Sequence, residues 1–544
     1  MAQKVGVPDY AMQPAKAVRT VEAKARYEKT EFVSMGKQQQ VSFRVEEDIL
    51  VPDIKPDMED ILSIKADCDV NPRERSLICG EDLVNWTGNI HLQVVYRGIS
   101  DEIIPLTSQI PYKHQWKTVQ ESESDAVFSV SVGNIESTIV NERKLRLSIT
   151  LDMRITCCRR LTVSVLSSLE DDNCGSLQVR KQPVAVNSLS TVCKDEMEIV
   201  ESFPRREGIV PKEILRQDYS VSENYKQITG DKIVLNGFIH VLILYSGHDQ
   251  QSSDNQDVIC QQYERIEFTQ FVPIPKNARG KECSFSHVVL SGRDFHTEIV
   301  SPLRGEQGEN LSSQKEFQCS GVIETKVVLF EKIQTQIAVD AYHTVKELEY
   351  VSQPKAFQTM CLSQTMEINT RDFVLPVQPP ASNRSHEAGL FAYCTFHDVN
   401  THMDTGKLAI EGTLLWSVCY LDRDSSVVNM KERIPFQATF EPEVEISSPC
   451  QDCTVSLARC GADFTGDGRI ELHSQLTVHF SAYGDFHLVE LAEPVFLEGF
   501  QRKTYPLIIA KLSPGETLWD VAKRHHIAEE SIRQTTDGRL LIMK

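Results

Sequence analysis

The chain has 544 residues, room for three or four domains that each bury a core of their own. With 41% hydrophobic and 25% charged residues it reads as a folded protein rather than a disordered or fibrous one. A formal net charge of −20 disfavours nucleic acid and anionic lipid as partners, since both are held by Lys and Arg.

Residues 1–33 read as an N-terminal tail. Met1 to Arg26 holds no uninterrupted apolar stretch of signal-peptide length. The longest apolar runs, such as Val241 to Tyr245, are strand-sized and too short to cross a bilayer, so the protein is expected to stay in the cytoplasm. The two prolines of Val51-Pro-Asp-Ile-Lys-Pro-Asp57 predict a stiff extended segment, with Asp57 capping a short helical turn from Met58. Solvated capping accounts for Asp53, Asp57, Glu59 and Asp60 better than a metal or acid–base cluster does.

From there to about residue 498 the texture is β: short apolar or alternating runs bounded by Gly, Asn, Asp and Ser. One pattern occurs three times, as Gly88 to Tyr96, Gly237 to Tyr245 and Gly412 to Tyr420. In each, Gly precedes Tyr by eight residues with apolar residues at alternate positions, so both ends share a strand face. Each copy is followed by a second motif: Ile110-Pro-Tyr112, Ile266-Glu-Phe268 and Ile434-Pro-Phe436. The Gly-to-Ile offset is 22, 29 and 22 residues, the longer one fitting a polar hairpin insertion at Gly247 to Asp257. Such a long period means tandem domains rather than a solenoid. The expected units are residues 34–165, 190–350 and 366–498. Polar breaks fall near Leu166 to Ser190, Val351 to Thr365 and Glu498 to Thr504, and a further loop is expected at Gly305 to Lys315.

Fifteen cysteines are irregularly spaced, with one Cys-x-x-Cys pair at Cys450 and Cys453 and one adjacent pair at Cys157 and Cys158. A zinc site needs a second pair or paired histidines, so reduced and mostly buried thiols are expected.

The last forty residues, 505–544, change character. Pro514-Gly515 supplies a turn, Thr517 an N-cap, and Asp520 the third residue of a capping box. Leu518, Val521 and Ala522 share one helical face, leaving Trp519 off it and partly exposed. With Ile532 and Leu540 to Met543 closing the core, the pattern reads β-α-α-β. The fold class is therefore mainly β: three tandem β-rich repeats and a small terminal module. The module carries net charge +1 and the rest of the chain −21.

Pro514-Gly-Glu-Thr-Leu-Trp-Asp-Val-Ala522 resembles the signature of LysM domains, with Glu516 where Asp is usual. In LysM domains that bind N-acetylglucosamine polymers, sugar lies between this first turn and the loop after the second helix. Here that loop is reduced to Thr535 to Gly538. From Ser34 to Lys544, the Pro-Asp motif, the Gly-to-Tyr strands and the terminal module together resemble the SipL type of spore-coat morphogenetic protein, with SPOCS domains, from endospore-forming clostridia. The resemblance implies a mother-cell protein gathered on the forespore surface. Its LysM module is then expected to bind the coat-basement ATPase, sporulation stage IV protein A, and with it the coat. The contact surface expected on the module is Pro514, Gly515, Glu516 and Trp519, with Lys523 and Ile527 nearby; no cofactor or metal is expected. A peptidoglycan- or cortex-glycan-binding protein is the alternative. No nucleophile elbow, P-loop or His-Glu-x-x-His motif points to an enzyme. His525 and His526 point about 100° apart on a helix and read as solvated.

Overall fold

The computed structural model describes residues 20–22, 25–35, 39–69, 83–117, 124–169, 176–250, 257–276, 278–280, 283–301, 316–382, 389–404, 406–441, 451–497, 507–536 and 539–543. Two strands open the chain, β1 (Thr20–Glu22) and β2 (Ala25–Met35). Six follow: β3 (Gln39–Leu50), β4 (Met58–Cys68), β5 (Leu83–Gly98), β6 (Ile103–Lys117), β7 (Ser124–Asn141) and β8 (Lys144–Leu169). The next six are β9 (Leu177–Phe203), β10 (Ile209–Thr229), β11 (Lys232–Asp249), β12 (Asp257–Pro273), β13 (Cys283–Val300) and β14 (Glu316–His343). A third six are β15 (Glu347–Val374), β16 (Phe391–Asp404), β17 (Lys407–Leu421), β18 (Val427–Phe440), β19 (Gln451–Phe464) and β20 (Ile470–Leu497).

Each set of six pairs in the same way. The middle three strands form an antiparallel meander, in the orders β4-β5-β6, β10-β11-β12 and β16-β17-β18. The first strand pairs with the last, and the last with the fifth, giving β3-β8-β7, β9-β14-β13 and β15-β20-β19. The two sheets of a set pack face to face through residues at alternate positions. Ile90, Leu92, Val94 and Tyr96 of β5 meet Leu145, Leu147, Ile149 and Leu151 of β8, all at most 1% exposed.

The Gly-to-Tyr strands are β5, β11 and β17, the centres of the three meanders. Their register explains the second motif. Gly88 lies opposite Tyr112, Gly237 opposite Phe268 and Gly412 opposite Phe436. A Cβ on Gly88, Gly237 or Gly412 would meet those rings at 2.8, 2.6 and 2.8 Å, so each ring lies over a bare backbone. In the first and third sets the Tyr at the other end pins the crossover between sheets: Tyr96 donates to Pro56 O (2.8 Å) and Tyr420 to Gln378 O (3.0 Å).

The meanders close into a ring. Seven residues after each motif Gly stand Val95, Leu244 and Cys419, all fully buried in one cluster shared by the three sheets. Around it, each sheet bonds to the next. Gln93 of β5 exchanges two bonds with the Gln217 backbone of β10 (2.9 and 3.2 Å). Gln261 of β12 does the same with Ala392 of β16 (2.8 and 3.2 Å). Ser417 and Asn429 of the third sheet donate back to Leu62 O (2.6 Å) and Ile61 O (3.1 Å) of β4. At the first seam Lys65 and Arg216 flank Asp218 at 3.2 and 3.0 Å, and Arg216 stacks on Tyr393, 3.6 Å from its ring centroid. Burial opposes charge on Asp218, but Arg216 and Lys65 outweigh it and hold its carboxyl below the usual range.

Several expectations are corrected here. Met58 starts strand β4 rather than a helical turn, because its N–H is taken by Glu142 O at 2.8 Å. Asp57 and Asp53 instead bind Arg143, at 2.7 and 3.4 Å, and the same guanidinium donates to Lys55 O and Val51 O. Two of the polar stretches expected to be breaks are largely strand, since β8 runs to Leu169, β9 starts at Leu177 and β15 runs through Val351 to Thr365; the third, 498–504, lies outside the described residues. Residues 20–22 and 25–33 of the expected tail are strand as well. These stretches extend beyond the sandwiches as two-stranded ribbons, β2–β8, β9–β14 and β15–β20. The ribbons form a stalk in which β8, β14 and β20 touch one another and β2 touches β9 and β15. Ala338, Ala341, Leu491 and Phe496 are buried together in it. The expected loop at Gly305 to Lys315 lies outside the described residues.

Candidate docking site of the C-terminal module

The module contains β21 (Leu507–Lys511), α1 (Leu518–His525), a 3₁₀ turn (Glu529–Ser531), β22 (Ile532–Gln534) and β23 (Arg539–Met543), with sheet order β21-β23-β22. The helix starts as the sequence predicts. Thr517 accepts from Asp520 N–H, and Asp520 accepts from Thr517 N–H in return. Val521 and Ala522 are fully buried, and Leu518 packs against them. The expected second helix is a single 3₁₀ turn, because Ala528 offers no side-chain cap and Ile532 already belongs to a strand. Thr535 to Gly538 therefore falls in the β22–β23 connection, not between a helix and a strand; residues 537–538 lie outside the described residues.

The expected contact residues divide into two groups. Pro514 and Gly515 form an exposed turn, with Gly515 at φ 85°, a conformation that favours glycine. Glu516 beside them turns inward, accepting from Ser513 N–H at 2.9 Å and pairing with Arg524. Trp519, Lys523 and Ile527 face the stalk. Trp519 is only 7% exposed, which corrects the expectation of a partly exposed ring: the helix side that carries it is covered by another part of the chain.

That cover is the hairpin joining β14 to β15. Asp340 is its centre. Trp519 Nε1 donates to Asp340 Oδ2 (2.7 Å) and Lys523 Nζ to Asp340 Oδ1 (2.6 Å), while the Tyr350 hydroxyl donates to the same carboxylate. Burial alone would push the Asp340 carboxyl up. The bonds from Lys523, Tyr350 and Trp519 outweigh it and hold it below its ordinary range. Tyr342, two residues on and so on the same strand face, lies edge-on to Trp519 at 4.9 Å between centroids. Its hydroxyl donates to Ile527 O at 2.7 Å. His526, in a left-handed conformation at the helix end, faces His343 O (3.2 Å) and Glu347 (3.6 Å), so it is not the solvated residue expected. The hairpin is stiffened from within, as Val345 and Lys346 N–H both donate to His343 Nδ1. That nitrogen is therefore the unprotonated one.

Sequence reasoning missed Asp340, Tyr342, His343, Glu347 and Tyr350. Their one local signal is the Asp-x-Tyr alternation, which any half-buried strand also shows. Among the described residues no His, Cys, Asp and Glu group is arranged to hold a metal. Cys450, and the side chains of Cys157 and Cys158, lie outside the described residues. The described cysteines are free, and burial pushes the Cys260 and Cys319 thiols up to about 11. No described helix is long and apolar enough to cross a membrane.

The fold and this docking site define a mainly β protein of packed sandwiches with a small helix-bearing module at its end. Residues 211–290, nearly all of the β10-β11-β12 sheet and the start of β13, match the family model described as "SipL, SPOCS domain". The match supports a SipL-type family and a sporulation-related protein. No curated protein and no solved structure matches the chain.

Proposed function

We propose that this chain is a non-enzymatic scaffold of endospore coat assembly. Its terminal segment acts as a LysM-like module that binds the coat-basement ATPase, sporulation stage IV protein A, and so holds coat proteins at the forespore surface in the mother cell. The three six-stranded sets are read as three copies of one SPOCS-like unit. The observation that carries this reading is the match of residues 211–290 to the SPOCS family model. The capped turn and helix at Thr517 to His525 add to it, since they follow the LysM pattern at the expected spacing.

The test is co-purification from sporulating cells with the full chain and with a chain lacking residues 505–544. The ATPase and coat proteins should accompany the first and be absent from the second. Equal recovery with both would overturn the docking role. The glycan reading keeps one supporting feature, the open Pro514–Gly515 turn. Retention of the full chain on insoluble peptidoglycan, lost on deleting the module, would favour it.

A further inference from the structure

The module face formed by Trp519, Lys523 and Ile527 is already occupied, and its occupant shows what it takes. The occupant is a β-strand bearing a carboxylate and, two residues later, a tyrosine. The carboxylate receives the indole N–H at 2.7 Å and the ammonium at 2.6 Å. The tyrosine ring meets the indole edge-on at 4.9 Å, and its hydroxyl caps the Ile527 carbonyl at 2.7 Å. Every polar group of the face is matched: one donor pair for one carboxylate, one acceptor for one hydroxyl. Such complementarity disfavours a ligand lacking either group, because the buried indole N–H would lose its acceptor or the buried Ile527 carbonyl its donor.

We infer that this face is a receptor for acidic–aromatic strands of the form Asp-x-Tyr, filled within the chain by Asp340-Ala341-Tyr342, and that a protein partner using it must present the same chemistry and displace that hairpin. The inference rests on the reading of the module as a protein-binding one, and names its ligand class. A partner tethered elsewhere competes with a cis segment held at high effective concentration, so the free chain is shut and engagement requires release. The part of the expected surface that stays open is then the Pro514–Gly515 turn, which can meet a partner first.

The test uses the full chain and a labelled, backbone-cyclised peptide carrying residues 336–351. Wild type should bind it poorly, its face being filled. Asp340→Lys, which sets a cation against Lys523, should open the face and bind the peptide at least tenfold more tightly. The same peptide carrying Asp340→Asn and Tyr342→Phe should bind neither chain. Lys523→Glu combined with Asp340→Lys should restore the ion pair but not the indole acceptor, so amide-exchange protection at residues 518–527 should recover in part and peptide binding should fall below that of Asp340→Lys alone. Equal peptide binding by wild type and Asp340→Lys, indifference to the peptide's Asp and Tyr, or no recovery of protection in the charge-reversed pair would each overturn the inference. None of these measurements involves the ATPase, so failure here and failure of the co-purification are separate results.

Discussion

The ring seams and the module's docking site are both polar contacts between parts of one chain, yet they are built on opposite plans. At the seams, amides and ion pairs surround an apolar axis, with Val95, Leu244 and Cys419 fully buried, and the strands they join are long and paired along their length. The module instead rests on one hairpin, through the Asp340 carboxylate, the Tyr342 ring and hydroxyl, and the His343 carbonyl and Glu347 that face His526. Opening a seam exposes a core; lifting the module exposes a face of a few side chains. The first region is built to stay shut, and the second can open while the body remains folded.

The largest expected effect tests the seam. Asp218→Asn leaves the buried Arg216 without its carboxylate, while Lys65 keeps Asp67 at 2.7 Å, and should cost about 3 kcal/mol of global stability in denaturant titration. A loss under about 1 kcal/mol would show that the seam does not hold the body together.

Within the sandwiches, Gly237→Ala should destabilise more than Gly412→Ala. A Cβ at residue 237 runs into the Ser222 carbonyl oxygen as well as the Phe268 ring, whereas at 412 it meets chiefly the Phe436 ring, which can shift. We expect about 2–3 kcal/mol against about 1 kcal/mol, read as melting-temperature shifts measured side by side. Equal shifts would mean that the neighbouring backbone yields as readily as a ring.

The smallest effect concerns acid and separates the regions again. The Asp340 carboxyl titrates below its ordinary value when folded, so its contribution is present above the ordinary carboxylate pKa and fades as pH falls through the lowered one. Lys523 is shifted up: burial opposes its charge, but bonds to Asp340 and Tyr350 prevail, so its contribution persists below the ordinary lysine pKa and fades only as pH rises through the raised value. Amide protection of residues 518–527, corrected for intrinsic exchange rates, should therefore be flat from about pH 5 to 9 and fall below about pH 4. In Asp340→Asn protection should be lower throughout and the acid fall shallower, the remainder belonging to Asp520, whose carboxyl the Thr517 bonds also hold below its ordinary range. An acid fall undiminished in Asp340→Asn would assign it to Asp520 rather than Asp340.

The sequence disclosed what is repeated and local. The Gly, Tyr and Ile-x-aromatic spacings were visible because each fixes a cross-strand register within about thirty residues, and the helix start was visible because a capping box spans four. The ribbons read as polar breaks because their strands carry a loop-like composition and their partners lie far along the chain, as Leu177 does from His343. The docking site was invisible for the same reason: Asp340 and Trp519 stand 179 residues apart, and neither has a neighbour in sequence that announces the other. The second helix failed on length, since a strand begins five residues after Ile527.

A ring of three like sectors assembled from separate subunits would repeat every feature threefold. Here one chain supplies all three, and among the described residues it is the β14–β15 connection that carries the aspartate and tyrosines that receive the module. The object thus has the outline of a trimer but not its symmetry: the module of residues 507–543 is seated on one sector alone.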